Sequence, residues 1–226
     1  MDAKKLLHMK MKKCAIALLL SMGIFQAARS QDSTAHPLNP SFGIKGSYIG
    51  AYNTANFNGE ANATMRNKSG FGVGAFLDIP FSVQWGMQLG MNYAQLGTKL
   101  TGYYFNLSYP APLDIEYNYL TFPLLARYTI GNSGLTVMAG PQFGILLSAK
   151  RNDGSSVSSV KSSLQSNDVA GVGGLEYKLP LHNFSHEVRI GASYQAGLTN
   201  IIKDISTNSN NKMYNNAFSG YVAFAL

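Results

Sequence analysis

Val83-Gln84-Trp85-Gly86-Met87-Gln88-Leu89-Gly90-Met91-Asn92-Tyr93 alternates without a break. Its odd positions are large and apolar, and its even positions are Gly, Gln or Asn. A β-strand turns successive side chains to opposite faces, so this run has one greasy face and one narrow, wet face. Such alternation is the mark of a strand whose two sides meet different surroundings.

Seven further segments read the same way, near 41–52, 70–79, 114–128, 135–148, 168–178, 187–198 and 216–226. The alternation blurs between Leu120 and Leu124, and Pro123 predicts an irregularity there. The connections 53–69, 95–113, 150–167 and the stretch after Leu198 are long and polar. Those at Pro80-Phe81 and Gly131–Gly134 are short, and Leu179–His186 is intermediate. Long and short links that alternate belong to an up-and-down meander in which odd connections share one rim and even ones the other. An even number of strands also closes without a free edge. The expected fold is therefore all-β: an eight-stranded antiparallel up-and-down transmembrane β-barrel spanning 41–226.

The first thirty residues read as a leader. Lys4, Lys5, Lys10, Lys12 and Lys13 precede an apolar run, Cys14–Phe25, and Ala28-Arg29-Ser30 offers small residues before a cut at Gln31. That is the pattern of a secretory signal peptide, and the run is too short for a spanning helix. Residues 31–40, polar with two prolines, read as a flexible tail. The leader holds six basic residues and one acid, so only +2 of the chain's +7 stays with the mature part. The basic balance thus belongs to an export tag, and nucleic acid is excluded as a partner. Cys14, the single cysteine, leaves with the leader, which excludes a disulfide scaffold and a thiol nucleophile. Charged residues make up about one in nine of the remainder, against roughly a quarter in ordinary soluble domains.

The alternation assigns Lys45, Asp78, Gln84, Gln88, Asn92, Glu116, Glu176, Glu187 and Arg189 to the lumen. Eight strands leave an interior that side chains fill, so these groups are expected to pair in a structural network. A gated proton or solute path is the other reading of the same charges. The apolar face carries Tyr48, Tyr52, Trp85, Tyr93, Tyr117, Tyr177, Tyr194 and Phe224, expected as a lipid-facing aromatic girdle. A soluble lipocalin-like barrel shares the alternation, but its polar face would carry many more Lys and Glu.

No catalytic constellation is present. His36 lies in the tail, and His182 and His186 flank a turn after Pro180 with no helical pattern to make their spacing a metal site. No Gly-x-Ser-x-Gly elbow and no phosphate-binding glycine loop occurs. No cofactor is expected.

Four blocks stand in order: Tyr119–Tyr128 (YLTFPLLARY), Ala139–Lys150 (AGPQFGILLSAK), Asp168–Tyr177 (DVAGVGGLEY) and Gly197–Ile201 (GLTNI). Together they resemble the PorT-like outer-membrane β-barrel family of Bacteroidetes-type bacteria, an OmpA-like eight-stranded type, from about residue 40 onward. The resemblance departs at the terminus, where Leu226 stands in place of a final aromatic residue. It implies the bacterial outer membrane and a link to secretion machinery, and no enzymatic activity. The expected partners are outer-membrane lipid and an envelope or extracellular protein bound by the loops. A narrow small-solute pore, an envelope lipid-modifying enzyme and the soluble carrier are the alternatives.

Overall fold

A computed structural model describes residues 39–56, 64–104, 107–181, 186–203 and 212–226. The expected leader, residues 31–38 of the tail, His36 and His182 lie outside the described residues. The strands are β1 Ser41–Asn56, β2 Thr64–Pro80, β3 Trp85–Tyr104, β4 Leu107–Thr129, β5 Leu135–Asn152, β6 Val157–Ser159, β7 Asn167–Lys178, β8 Glu187–Gly197 and β9 Lys212–Ala225. Every pairing is antiparallel, and β1 closes the ring against β9 from Gly43↔Ala225 to Asn56↔Lys212. β6 is a three-residue flap on the end of β5, which leaves eight strands in the wall. This is the expected closed antiparallel barrel. Among the described residues no helix is long and apolar enough to cross a membrane.

The wall strands reach further toward the long-connection rim than the alternation indicates. β3 runs to Tyr104 and β4 starts at Leu107, so most of the expected loop 95–113 is a hairpin. Likewise β1 extends to Asn56 and β2 begins at Thr64, within the expected loop 53–69. Ladder hydrogen bonds hold these ends, and they do not depend on hydropathy. Once both faces meet polar surroundings, the two-residue signal vanishes although the strand goes on.

Inward and outward residues alternate along each strand, and β4 reverses the expected parity. Tyr117, Tyr119 and Leu125 point inward and are 1 to 3% exposed, whereas Phe122 and Leu124 lie on the outer wall. The stretch Leu120–Leu125 is apolar at nearly every position, so hydropathy cannot choose its face. The neighbours choose it: Tyr117 stands between inward Leu96 and Ala149. A register shift beside Tyr119, where Asn118 pairs with Ser148 but Tyr119 with Leu146, leaves Leu147 as an extra residue. Such a bulge re-aims the chain beyond it. Ser148 therefore bonds Asn118 on the outer side, and Ala149 turns in.

Two buried clusters fill the barrel. One, toward the short-turn rim, holds Phe76, Leu125, Met138 and Tyr221 with Ala223 and Ala225. Gly43 and Gly191 make room for it, because a Cβ at either would collide with the ring of Phe76 or Tyr221. The other, toward the long-connection rim, holds Ile49, Leu96, Tyr117, Tyr119, Leu146 and Ile201 among others.

Candidate functional site

The inward face of the short-turn half carries a ring of charge. Asp78 from β2 meets Arg127 from β4 and, at 2.5 Å, Arg189 from β8. Glu176 from β7 meets Arg127 at 2.6 Å and Arg189 at 3.3 Å. Each carboxylate thus has two guanidinium partners and each guanidinium two carboxylates. Gln88 donates to Asp78 at 2.9 Å, the Tyr221 hydroxyl to Glu176 at 3.3 Å, and the Arg189 guanidinium also lies over Phe76. Glu187 extends the chain outward, held by Arg189 at 2.8 Å and by Lys178 at the rim. Asp78, Glu176 and Arg189 are 3 to 6% exposed. Taking four charges out of water is costly, and this mutual pairing compensates it.

The remaining assigned residues divide. Lys45 and Asn92 face a cavity of about 70 Å³ between the two buried clusters, with Thr121, Gln142 and Gln195 around it. Asn92 donates to Thr121 at 3.5 Å, and the Lys45 ammonium sits 5.5 Å from the centre of the Tyr221 ring. No carboxylate lies within 4.0 Å of that ammonium among the described residues. Its lining is mixed, with Ile49, Leu96, Leu125 and Met138 beside these polar groups. Gln84 is exposed in the turn before β3, at the short-turn mouth of the lumen, where its carbonyl accepts the Thr129 N–H at 2.8 Å. Glu116 is on the outer wall, because β4 faces the other way. It joins Lys68 at 3.4 Å, beside Asp114 at 2.6 Å from the same ammonium.

Sequence reasoning passed over Arg127, the cation that ties Asp78 to Glu176. Its signal was a lone charge in the mostly apolar run Leu120–Tyr128. The parity error on β4 hid it. Also missed was a second polar group under the long-connection rim. There Asn215 donates to Asp168 at 2.9 Å and to Tyr119 at 3.2 Å, accepts from Asn53 at 2.8 Å, and Thr199 donates to Asp168 at 2.7 Å. Strand segments after β5 and β8 cover this group through the bridge Leu164↔Ile202, and Ile201 is fully buried beneath it. Among the described residues no group of three or more His, Cys, Asp or Glu is placed to hold a metal ion.

The outer wall is apolar, with Ile44, Tyr48, Phe71, Val73, Met91 and Phe218 all more than half exposed. Its aromatic residues gather at two levels. Trp85 packs on Tyr128 at 4.7 Å near the short turns, with Tyr177 and Phe224 also outward at that end. Toward the other rim lie Tyr48, Tyr93 against Phe71 at 6.0 Å, and Tyr194 against Phe218 at 4.6 Å, with the Tyr52 and Tyr194 hydroxyls 3.0 Å apart. Tyr117 is not among them; it is 1% exposed in the interior. Trp85 and Tyr93 are eight residues apart on β3, about 27 Å along the strand and about 20 Å along the axis of a tilted wall. That is close to the height of the apolar band of an outer-membrane barrel, about 25 Å.

The family comparison agrees with this architecture. Residues 29–203 match the model of a family described as outer membrane protein beta-barrel domain. No curated protein matches the sequence. Among solved structures, OprG from Pseudomonas aeruginosa is similar at 14% identity, with 86% of this chain and 98% of that chain covered and a TM-score of 0.48. Neisserial surface protein A gives 16%, 82%, 97% and 0.47 in the same order. Ail, the attachment invasion locus protein of Yersinia pestis, solved with the heparin analogue sucrose octasulfate, gives 16%, 83%, 99% and 0.45. The chain belongs to the outer membrane protein β-barrel domain family, and its place is the bacterial outer membrane.

Proposed function

We propose that residues 1–30 are removed on export and that the mature barrel acts without enzymatic chemistry, holding its long-connection rim outside the cell as a binding or anchoring surface. The outward aromatics would form its lipid-facing girdle, and the charge ring would serve as an internal brace. One observation carries this reading: the lumen is filled at two levels, by the guanidinium–carboxylate ring below and by the Tyr117–Tyr119–Ile201 cluster above. Between them lies a cavity of only about 70 Å³. A recess of about 300 Å³ opens on the ring from the short-turn side, and the packed levels above it leave the long-connection rim as the surface free to meet something else. The resemblance to PorT-like barrels supports an envelope or secretion partner for that rim.

Two measurements test it. The mature chain lacks cysteine, so a crosslinker can be placed at Ser155, in the exposed turn between β5 and β6, and for contrast at Ser133, in a short turn. A protein adduct in whole cells is expected from Ser155 and not from Ser133. Failure to find one with a barrel shown to be folded counts against a rim partner. The pore reading predicts discrete conductance steps in planar bilayers. A silent barrel is the expected result.

A further inference from the structure

The outer wall of β3, β4 and β5 changes character along a single line. Below it stand Met91 and Tyr93, Phe122 and Leu120, Ile145 and Leu147; above it stand Gln95, Asn118 and Ser148. The Tyr93 hydroxyl donates to Asn118 across the line at 2.9 Å, and Asn118 donates to Ser148 at 2.9 Å. Tyrosine with its ring in the apolar band and its hydroxyl in a polar one marks the level where acyl chains give way to headgroups.

Three lysines stand at or just above that level. Lys161, on the 3-10 turn after β6, is exposed and donates to the carbonyl of Leu147 at 2.8 Å, so its ammonium is fixed at the boundary itself. Lys150 is exposed two residues beyond Ser148, about 7 Å further along the strand. Lys99 is exposed four residues beyond Gln95. The nearby acids only partly offset them. Asp114 and Glu116 stand across the ladder from Lys99 and Lys150 and both lie within 4.0 Å of Lys68, so four lysines face two carboxylates on this wall, and no carboxylate lies within 4.0 Å of Lys99, Lys150 or Lys161 among the described residues. The short-turn end has no such surplus, since Lys178 there is matched by Glu187.

We infer that Lys99, Lys150 and Lys161 form a docking surface for the phosphate groups of anionic lipids in the outer leaflet. The band has the charge, and Lys161 has the height, that a headgroup phosphate at this boundary requires. Clustered lysines beside a membrane surface each add measurably to anionic-lipid affinity, in a manner that salt screens. The lipid sits on the outside of the wall, against Leu147 and its neighbours, so the site owes nothing to the lumen. It rests on the outward placement of this wall in a bilayer and is independent of any protein partner at the rim.

The test uses the full mature barrel in phosphatidylcholine bilayers, with spin-labelled phosphatidylglycerol or spin-labelled phosphatidylcholine as the reporting lipid. Electron spin resonance then gives the association of each with the protein. At low salt the anionic lipid is expected to associate about threefold or more over the zwitterionic one. The preference should fall to near parity in 1 M NaCl and in K99Q/K150Q/K161Q with its fold verified by heat-dependent gel mobility. It should persist in K178Q and in 10 mM inorganic phosphate. Equal association of the two lipids with the wild-type protein at low salt overturns the proposal, whatever the variants do. So does a folded triple variant with the preference intact, or loss of the preference to K178Q alone. Displacement of the lipid by 10 mM inorganic phosphate would overturn the lipid assignment in favour of a soluble phosphate site.

Discussion

The two halves of the lumen are filled by opposite means. Toward the short turns, Asp78, Glu176, Arg127 and Arg189 hold one another by charge. Toward the long connections, Tyr117, Leu96, Leu146 and Ile201 form an apolar plug, joined to a small network in which Asn215 and Thr199 donate to the single buried carboxyl of Asp168. The difference teaches where each kind of filling is stable. A charge ring needs every member in place, because each lost member leaves the other largely buried charges short of a partner. An apolar plug fails in proportion to the volume removed. The two halves should therefore respond differently to substitution.

The largest effect is expected from R127M. It leaves Asp78 and Glu176 to share Arg189 alone, and breaking a buried network in this way costs about 3–5 kcal/mol. The check is urea unfolding of the barrel in lipid vesicles, where a loss below 1 kcal/mol would mean the ring is hydrated and loose. Y117A should follow at about 3 kcal/mol, as a large side chain removed from a packed interior. A cost under 1 kcal/mol in the same assay would return Tyr117 to the lipid-facing wall and break the comparison. Q88A removes a hydrogen bond to a charged partner and should cost about 1.5–3 kcal/mol. Combined with R127M its effect should be far from additive, because both act on Asp78. E116Q, on the outer wall, should cost less than about 1 kcal/mol, as partly exposed ion pairs do. A larger loss would place Glu116 in the interior after all.

The smallest effect concerns pH at the β5–β6 turn. The Asp153 carboxylate accepts the backbone N–H of Ser156 at 2.8 Å and of Ser155 at 3.0 Å, which holds its pKa below the usual carboxylate range. A depressed pKa means that the turn's stabilisation is present above the ordinary carboxylate value and lost as pH falls through the lowered one. Titration of this carboxyl by nuclear magnetic resonance should show the lowered value in the wild type. The shift should shrink in S156P, which removes both the N–H and the hydroxyl of Ser156.

Parts of this site were legible from alternation. Asp78, Gln88, Asn92, Glu176 and Arg189 lie on the inner face and Tyr48, Trp85 and Tyr177 on the outer one, as period two assigns them, because each sits in a strand whose other parity is plainly of the opposite character. Glu116, Tyr117 and Arg127 were not legible, since β4 is apolar at both parities just where its facing had to be chosen. Gln84 stands at the mouth of the lumen, outside any strand, for a different reason. The alternation runs unbroken from Val83, yet the bonds of Phe81 and Ser82 to the Trp85 carbonyl close a turn, and the strand begins only at Trp85.

From the sequence alone come the number of wall strands, their antiparallel order and the inequality of the two rims. Each follows from local chemistry: alternating side chains, turn-forming residues and the length of the links. Tertiary structure alone decided which way β4 faces, which cation joins Asp78 to Glu176, and which wall carries the unpaired lysines. Facing is a relation between neighbouring strands. A one-residue slip exchanges the two faces at no local cost when both are apolar, and only the register against Leu96 and Ala149 breaks the tie.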